Sequence, residues 1–279
     1  MSYKSILTIL SDEGQLLQLQ AAEAMARQED GHLEILCLGF DFSQPGYYFP
    51  GGTPYVFQES VDSAVEEAEA LKEAVTVRLE NTSGLRWCVR AAVAQTGGMT
   101  NLVGMRARYS DLTVMAQPYG KKASAGGEAV IEAAMFEGGC PVLVVPDAGL
   151  PEGGFKRILI AWNQSSEAMS AVRRALPLLR AAESVEIAII DPGRSGVERS
   201  EPGAGLAQML TRHGVKADVA VIARTTPTIS DEINKRAMEI DANLIVMGAY
   251  GHSRFREAIL GGATRNMLEK SRVPVLMAR

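Results

Sequence analysis

The chain repeats itself. "KSILTIL" at Lys4 returns as "KRILIAW" at Lys156, and "LEILCLGFD", ending at Asp41, returns as "VEIAIID", ending at Asp191. "AVAQT", ending at Thr96, returns as "VIART", ending at Thr225. "DLTVMA" (111–116) returns as "NLIVMG" (243–248), and "CPVLVVP" as "VPVLMA", with Pro141 matching Pro274. The matches keep one order, at offsets of 152, 150, 129, 132 and 133 residues. Two copies of one unit therefore fill the chain, and this fixes the architecture before any local reading. The offset falls from 150 to 129, so copy one carries an insertion there. It holds "FDFSQPGYYFPGGTPYVFQ", a loop of Gly, Pro and aromatic residues spanning 41–58. "PDAGLPEGG" (146–154) is turn-rich, with little to bury. The expected division is a first domain at 1–147, a linker at 148–155 and a second domain at 156–279.

Each copy alternates short apolar runs with helical patterns. In copy two, strands are expected at Arg157–Trp162, Val185–Ile190, Ala217–Ala223, Leu244–Met247 and Pro274–Met277. Helices are expected at Ser165–Arg180 (capped by Ser165 or Ser166, with Pro177 kinking its end), Leu206–His213, Ser230–Ile240 and Ala263–Lys270. In copy one, Val61, Val65, Ala68, Leu71, Val75 and Leu79 recur close to every 3.6 residues, which predicts a helix near Ser60–Leu79. Strands separated by helices mean βαβ units with right-handed crossovers, and strands covered on both faces read as continuous apolar runs. The expected fold class is α/β: two tandem, open, mostly parallel, five-stranded, doubly wound domains of Rossmann-like type. Ligands of such folds bind beyond the carboxyl ends of the strands, where strand order reverses. In copy two that rule points to Trp162-Asn163, Ile190-Asp191 and Gly248.

Composition narrows the partners. Of 279 residues, 47% are hydrophobic and 22% charged, and the formal net charge is −5. That balance argues against nucleic acid, whose phosphate backbone rewards clustered Lys and Arg. No apolar run approaches the roughly 18 residues a membrane span needs, and "SILTIL" reads as a first strand rather than a leader. Cys37, Cys88 and Cys140 lie far apart in apolar runs, with no metal-ligand spacing, and read as buried core thiols. A cytoplasmic location follows as the expectation.

"MGAYGHSRFREAILGGAT" (247–264) carries glycines at 248, 251, 261 and 262, between a strand and the last expected helix. Two readings stand. The glycines let backbone approach a phosphate at a helix start, where free N–H groups and the dipole favour an anion, with His252, Ser253, Arg254 and Arg256 as donors. Alternatively, they only permit tight turns. The stretch is neither a Walker loop nor GxGxxG. In copy one the corresponding "AQPYG" places Pro118 in the turn, and "SAGGE" (124–128) is a faint echo of the second glycine pair. Copy one is expected to be degenerate.

Gly248-x2-Gly251-x9-Gly261 after a strand, together with "RILIAWNQSSEA" and "VPVLMAR", resembles the universal stress protein family, in the form of a tandem two-domain (UspA-like) member. The resemblance implies an adenine nucleotide alpha hydrolase-like α/β fold and a regulatory or protective role in stress survival. It implies that ATP, with Mg, or a related adenine nucleotide binds copy two. Ala161 and Ile189 would lie on the base side, and Asn163 would take the adenine or ribose side. Met247, Gly248, Gly251, Gly261, Gly262 and Ala263 would take the phosphate side. This chain departs from the family's nucleotide-binding branch twice: Asn163 stands where an Asp is expected, and Gly262 where Ser or Thr is expected. The resemblance also implies that the last strands pair, making the two copies an internal pseudo-dimer, with a homodimer of the chain as a further expectation.

Two other functions remain open on the residues: an interaction or chaperone-like module that binds no nucleotide, and a slow ATP hydrolase. No catalytic triad and no metal-ligand cluster is evident, so neither a catalytic residue nor a metal site is assigned. Asp191-Pro192-Gly193 reads as a turn. Glu66, Glu67, Glu69 and Glu73 read as a solvated helix face. Trp162 is either a base-stacking or a packing residue.

Overall fold

The computed structural model describes residues 2–41, 55–95, 97–120, 123–124, 126–192, 201–250 and 262–279, with only the backbone for 55–58. The chain divides into two compact units, Tyr3–Cys140 and one built on Pro141–Arg279.

The first unit runs β1 (Ser5–Leu10), a 3-10 turn (Glu13–Gln15), α1 (Leu16–Gln28), β2 (His32–Asp41), α2 (Tyr55–Glu80), β3 (Arg86–Gln95), α3 (Met99–Ala107), β4 (Leu112–Ala116) and α4 (Gly127–Phe136). Its strands lie in the order β3-β2-β1-β4, with β2 and β4 both parallel to β1 and β3 parallel to β2. The chain leaves β1 toward β2 and returns to β4 on the other side. Strand order therefore reverses between β1 and β4.

The second unit runs β5 (Val142–Val145), β6 (Arg157–Ala161), α5 (Ser166–Ala181), β7 (Ser184–Ile190), α6 (Ala204–Arg212) and β8 (Ala217–Ile222). It continues through α7 (Ile229–Glu239), β9 (Leu244–Gly248), α8 (Ala263–Lys270) and β10 (Val275–Ala278). The order is β5-β10-β9-β6-β7-β8, parallel except that β5 runs antiparallel to β10, with Leu143 opposite Leu276. The expected α/β, mostly parallel, doubly wound class is what forms. Strand β5, which the repeat counts with copy one, packs within the second unit against the last strand of copy two. Strand order reverses between β6 and β9.

The copies reuse the same tethers. Asp111 Oδ2 accepts from the backbone N–H groups of Lys4 and Ser5 at 2.8 and 3.0 Å. Asn243 Oδ1 accepts from those of Lys156 and Arg157 at 3.0 and 3.1 Å. One side chain before β4 or β9 thus fixes the start of β1 or β6, and sets a matching register: Ile6 opposite Leu112, Ile158 opposite Leu244. Central strands are buried almost throughout. The edge strand β8 leaves Val219 40% and Val221 56% exposed, which is the half-covered pattern of a strand with one neighbour in its sheet.

Some local expectations change. Helix α2 starts at Tyr55, so Tyr55 and Phe57 are helical rather than loop residues; the rest of the aromatic insertion, 42–54, lies outside the described residues. Val65 faces solvent, and Ala64 packs instead. A Cβ on Gly39 of β2 would lie 2.9 Å from the Ala64 carbonyl carbon and 3.3 Å from Ala68 Cβ. The helix backbone therefore meets the sheet at a glycine, and small residues rather than Val line the contact. Helix α5 runs through Pro177 to Ala181, because Ala171, Val172 and Ala175 before the proline and Leu178 and Leu179 after it are all buried. Packing of the whole face outweighs the lost hydrogen bond. Cys37 and Cys140 are core thiols, and burial pushes Cys37 up to about 12. Cys88 is instead half-buried on β3, 3.4 Å from His32 Nε2, and burial raises its pKa as well.

Candidate functional site

The second unit places the carboxyl ends of β6 and β9 level with each other: Ala161 lies opposite Met247, and also opposite Ala188 of β7. Beyond β6 the backbone of Trp162 still donates to the Ala188 carbonyl at 2.9 Å. Asn163 is exposed, and its Oδ1 accepts from Ser165 N at 3.2 Å. Ser165 caps α5, its hydroxyl accepting from Ala168 N at 3.1 Å. Asn163 thus shapes the turn into α5, a task that Asp or Asn performs equally well.

Strand alternation sorts the expected site residues onto two faces. Ile160 pairs with Ile187 and Val246, so Trp162, Ile189 and Gly248 continue that face. It is the face of α5 and α6: a Cβ on Gly248 would meet Ala168 N and come within 2.7 Å of the Glu167 carbonyl carbon. One on Gly203, before α6, would come within 2.8 Å of Ile189 Cδ1. Ala161 and Met247 share the opposite face with Glu186, which Arg236 of α7 grips through two bonds of 2.7 Å. Met247, Ile189 and Trp162 are buried, while Ala161 and Gly248 are half-buried. Gly248 therefore has a packing reason to be glycine: the first turn of α5 crosses the end of β9 without room for a methyl group.

Helix α8 opens at the same end of the sheet. Gly262 is its N-cap in extended backbone and offers no side-chain cap. Ala263 follows, half-buried. Thr264 is buried, and its hydroxyl accepts from Tyr250 N at 3.2 Å. Tyr250 has a φ of 55°, so the chain leaves β9 through a left-handed turn tied to the first turn of α8. Gly251, Gly261, His252, Ser253, Arg254 and Arg256 lie outside the described residues. At the end of β7, Asp191 accepts from Arg224 N at 3.0 Å with φ 43°, as a turn residue does.

Glu232 of α7 is a buried carboxylate that sequence reasoning passed over. It accepts from the N–H groups of Thr225 and Thr226 at 2.7 and 2.9 Å and from the Thr226 hydroxyl at 2.9 Å. The Thr225 N–H bond, supported by Thr226 and Lys235 and opposed by burial, holds its pKa down to about 2. It fixes the β8–α7 turn at the same end of the sheet.

The first unit fills the equivalent place. Gln18 of α1 is 1% exposed. Its Nε2 donates to the Ile9 carbonyl at 2.7 Å and to Thr8 Oγ1 at 3.0 Å. Its Oε1 accepts from Ala116 N at 2.8 Å and from Gln15 Nε2 at 3.2 Å. Gln15 Oε1 in turn accepts from the N–H groups of Ser11 and Asp12 at 2.6 and 3.2 Å. The backbone groups at the ends of β1 and β4 are thus occupied by the unit's own side chains. At α4, a Cβ on Gly126 would stand 3.2 Å from the Phe40 ring, and one on Gly127 would stand 3.4 Å from Pro118 Cβ. The signal was present in the sequence: Gln18 shares a helical stripe with Ala22 and Met25, and Gln15 lies one turn earlier. Carried forward by 152 residues, Gln18 becomes Ser170, which donates to the Arg279 carbonyl at 3.0 Å.

Among the described residues, no group of three His, Cys, Asp or Glu could hold a metal ion, and no helix is long and apolar enough to cross a membrane. The family model of the universal stress protein family matches residues 154–279. A sequence search finds no match among curated proteins. Among solved structures, a universal stress protein from Archaeoglobus fulgidus DSM 4304 is similar over 98% of this chain and 96% of its own, at 16% identity and TM-score 0.71. A putative universal stress protein from Pseudomonas aeruginosa UCBPP-PA14 is similar over 99% and 93%, at 16% identity and TM-score 0.60. The cytoplasmic domain of a prokaryotic cation chloride cotransporter is similar over 99% and 95%, at 11% identity and TM-score 0.50. At these identities the likeness is one of fold.

Proposed function

Since this chain carries a universal stress protein family domain at residues 154–279, we propose that it is a non-enzymatic regulatory or protective binding protein whose second copy takes ATP or a related adenine nucleotide. The observation that carries this reading is the contrast at the strand-order reversals. Between β1 and β4 the backbone groups are consumed by Gln15 and Gln18. Between β6 and β9 the position matching Gln18 is Ser170, whose hydroxyl donates to the Arg279 carbonyl instead, and α8 opens there from a glycine with no side-chain cap. A helix start at the carboxyl ends of parallel strands favours an anion. Phosphates would lie against Gly262 and Ala263 together with Gly251 and Gly261, while the nucleoside would reach toward Ala161, Trp162, Asn163 and Ile189. Mg would accompany the phosphates. Binding would shift the population of a partner-binding surface. The first copy is a degenerate, self-filled unit in this reading. The protein would act in the cytoplasm, with the copies joined as a pseudo-dimer and two chains forming a homodimer.

A second reading, an interaction module that binds no nucleotide, is favoured by Gly248, whose glycine the packing of α5 demands with or without a ligand. Analysis of nucleotide released on denaturation, followed by calorimetric titration with ATP, decides between them. Binding at millimolar ATP or below, lost in Gly261→Val, is expected. The absence of ATP binding at millimolar concentration would leave the interaction module, and steady phosphate release would move the assignment to a slow hydrolase.

A further inference from the structure

Of the three cysteines, Cys88 alone is not buried. It lies on β3, which stands at the end of the strand order beside β2. Register puts Glu34 opposite Cys88 and His32 opposite Arg86. Strand alternation places these four, with Arg90, on one face of the sheet. It is the face away from α2, because Gly39, which α2 touches, belongs to the other set of alternating residues. There His32 Nε2 stands 3.4 Å from Cys88 Sγ. Arg90 of β3 and Arg106 of α3 each stand 3.6 Å from Glu34, and Arg86 and Arg90 are both exposed. The thiol thus has an imidazole within hydrogen-bond reach and guanidinium groups along its open side. Burial, and after it Glu34, raises the thiol pKa. Cys88 therefore rests as the neutral thiol, and attack by its sulfur needs a base to take the proton. His32 occupies the place of that base.

The second copy lacks both groups. Ile6 pairs with Leu33 as Ile158 pairs with Val185, so Glu34 matches Glu186. Glu186 lies opposite Asp218, where Glu34 lies opposite Cys88, and Ser184 matches His32. Arg236 holds Glu186 through two bonds of 2.7 Å. The carboxylate facing arginine is common to both copies, whereas the thiol and the imidazole belong to the first.

We propose that Cys88 is a site of thiol–disulfide exchange with small acidic disulfides of the glutathione class, with His32 as general base and Arg86 and Arg90 facing the carboxylates of the disulfide. Cys88 Sγ attacks one sulfur of the disulfide while its proton passes to His32 Nε2. The S–S bond of the reagent breaks as the Cys88 mixed disulfide forms, and the departing thiolate takes the proton from His32. One disulfide and one thiol are consumed, and one of each is produced. The site lies near the amino ends of β2 and β3, away from the strand-order reversals, and stands whether or not the second copy binds nucleotide.

The test treats the full chain with dithiobis(nitrobenzoic acid), an acidic disulfide that releases a coloured thiolate, and with cystamine, a cationic one. One thiol is expected to react in the folded chain and three after unfolding, with Cys88→Ser removing the folded-state reaction. No reactive thiol in the folded chain, or one that survives Cys88→Ser, would overturn the proposal. His32 and Arg86 are exposed, so their variants are expected to fold. His32→Gln should slow the reaction by about 10-fold or more; a wild-type rate would leave only an accessible thiol and overturn the assignment of the base. Arg86→Gln and Arg90→Gln should lower the ratio of the acidic to the cationic rate by about 2- to 10-fold; an unchanged ratio would overturn the acidic class of reagent. Incubation with oxidised glutathione should add one glutathionyl group to the Cys88 peptide by mass spectrometry, and its absence there would overturn the site.

Discussion

The reversal between β1 and β4 and the reversal between β6 and β9 are the same place in the same repeat, built to opposite ends. In the first unit, α1 is entered through a 3-10 turn, and two glutamines reach back to the strand ends. In the second, α5 starts at Ser166 under a serine cap and crosses β9 so closely that residue 248 must be glycine. The first unit satisfies its strand-end groups from within. The second, among the described residues, holds a buried indole N–H with no partner instead. The lesson is that a duplicated sheet can keep its strand register while the groups at its strand ends are satisfied differently in each copy. What changes is which atoms fill the strand ends.

The comparison breaks most sharply at Gln18. Gln18→Ala is expected to cost about 2–4 kcal/mol, since the Ala116 N–H and the Ile9 carbonyl lose their partner inside the protein. Gln18→Leu should cost nearly as much although it fills the space, because satisfaction of polar groups rather than volume is lost. Urea unfolding reads both, and a Leu variant as stable as wild type would show the glutamine to be mere filling. Gly248→Ala comes next, at about 1–3 kcal/mol from overpacking against α5, measured by the same unfolding curves. The matched first-unit change, Ala116→Gly, should cost about 1 kcal/mol or less. Equal costs would remove the packing difference between the two reversals.

The pH dependence of the second unit sharpens the comparison further. Glu232 has its folded pKa at about 2, below the ordinary 4.5. Its contribution to stability is therefore full above about 4.5 and is lost as pH falls through about 2. Thermal unfolding of Glu232→Gln against wild type should show a deficit at neutral pH that closes on acidification; a deficit that stays constant with pH would remove the ionised carboxylate from the account. The smallest effect belongs to Gly262→Ser. A serine cap on α8 should add a few tenths of a kcal/mol, seen as a slightly raised Tm. It should also tighten ATP by restoring the hydroxyl that the family resemblance expects, and unchanged ATP affinity would separate the capping role from the binding role.

Much of this was legible in the sequence, and the residues show why. The repeat offsets carry register: Asp111 and Asn243 do one job in two copies because the backbone N–H groups they hold recur with them. Serine before a periodic helix predicts the cap at Ser165. Gln18 was missed because helical periodicity records where a polar side chain lies, not whether the strand ends opposite it need its amide. Val65 misled for a related reason. An apolar residue near the right spacing loses to Ala64 once Gly39 lets the helix backbone touch the sheet. Gly248 was read as a ligand glycine, and only the path of α5 supplied its packing reason.

The sequence by itself determined the duplication and the α/β class, because those follow from chain order, periodicity and the handedness of the crossover. Only the tertiary structure decided which strand-end groups are already satisfied and which donor is not, and that the last strand of copy one packs with the second unit. Those outcomes depend on distances of 2.6–3.2 Å between side chains and backbone groups brought together by folding, and no spacing along the chain encodes them.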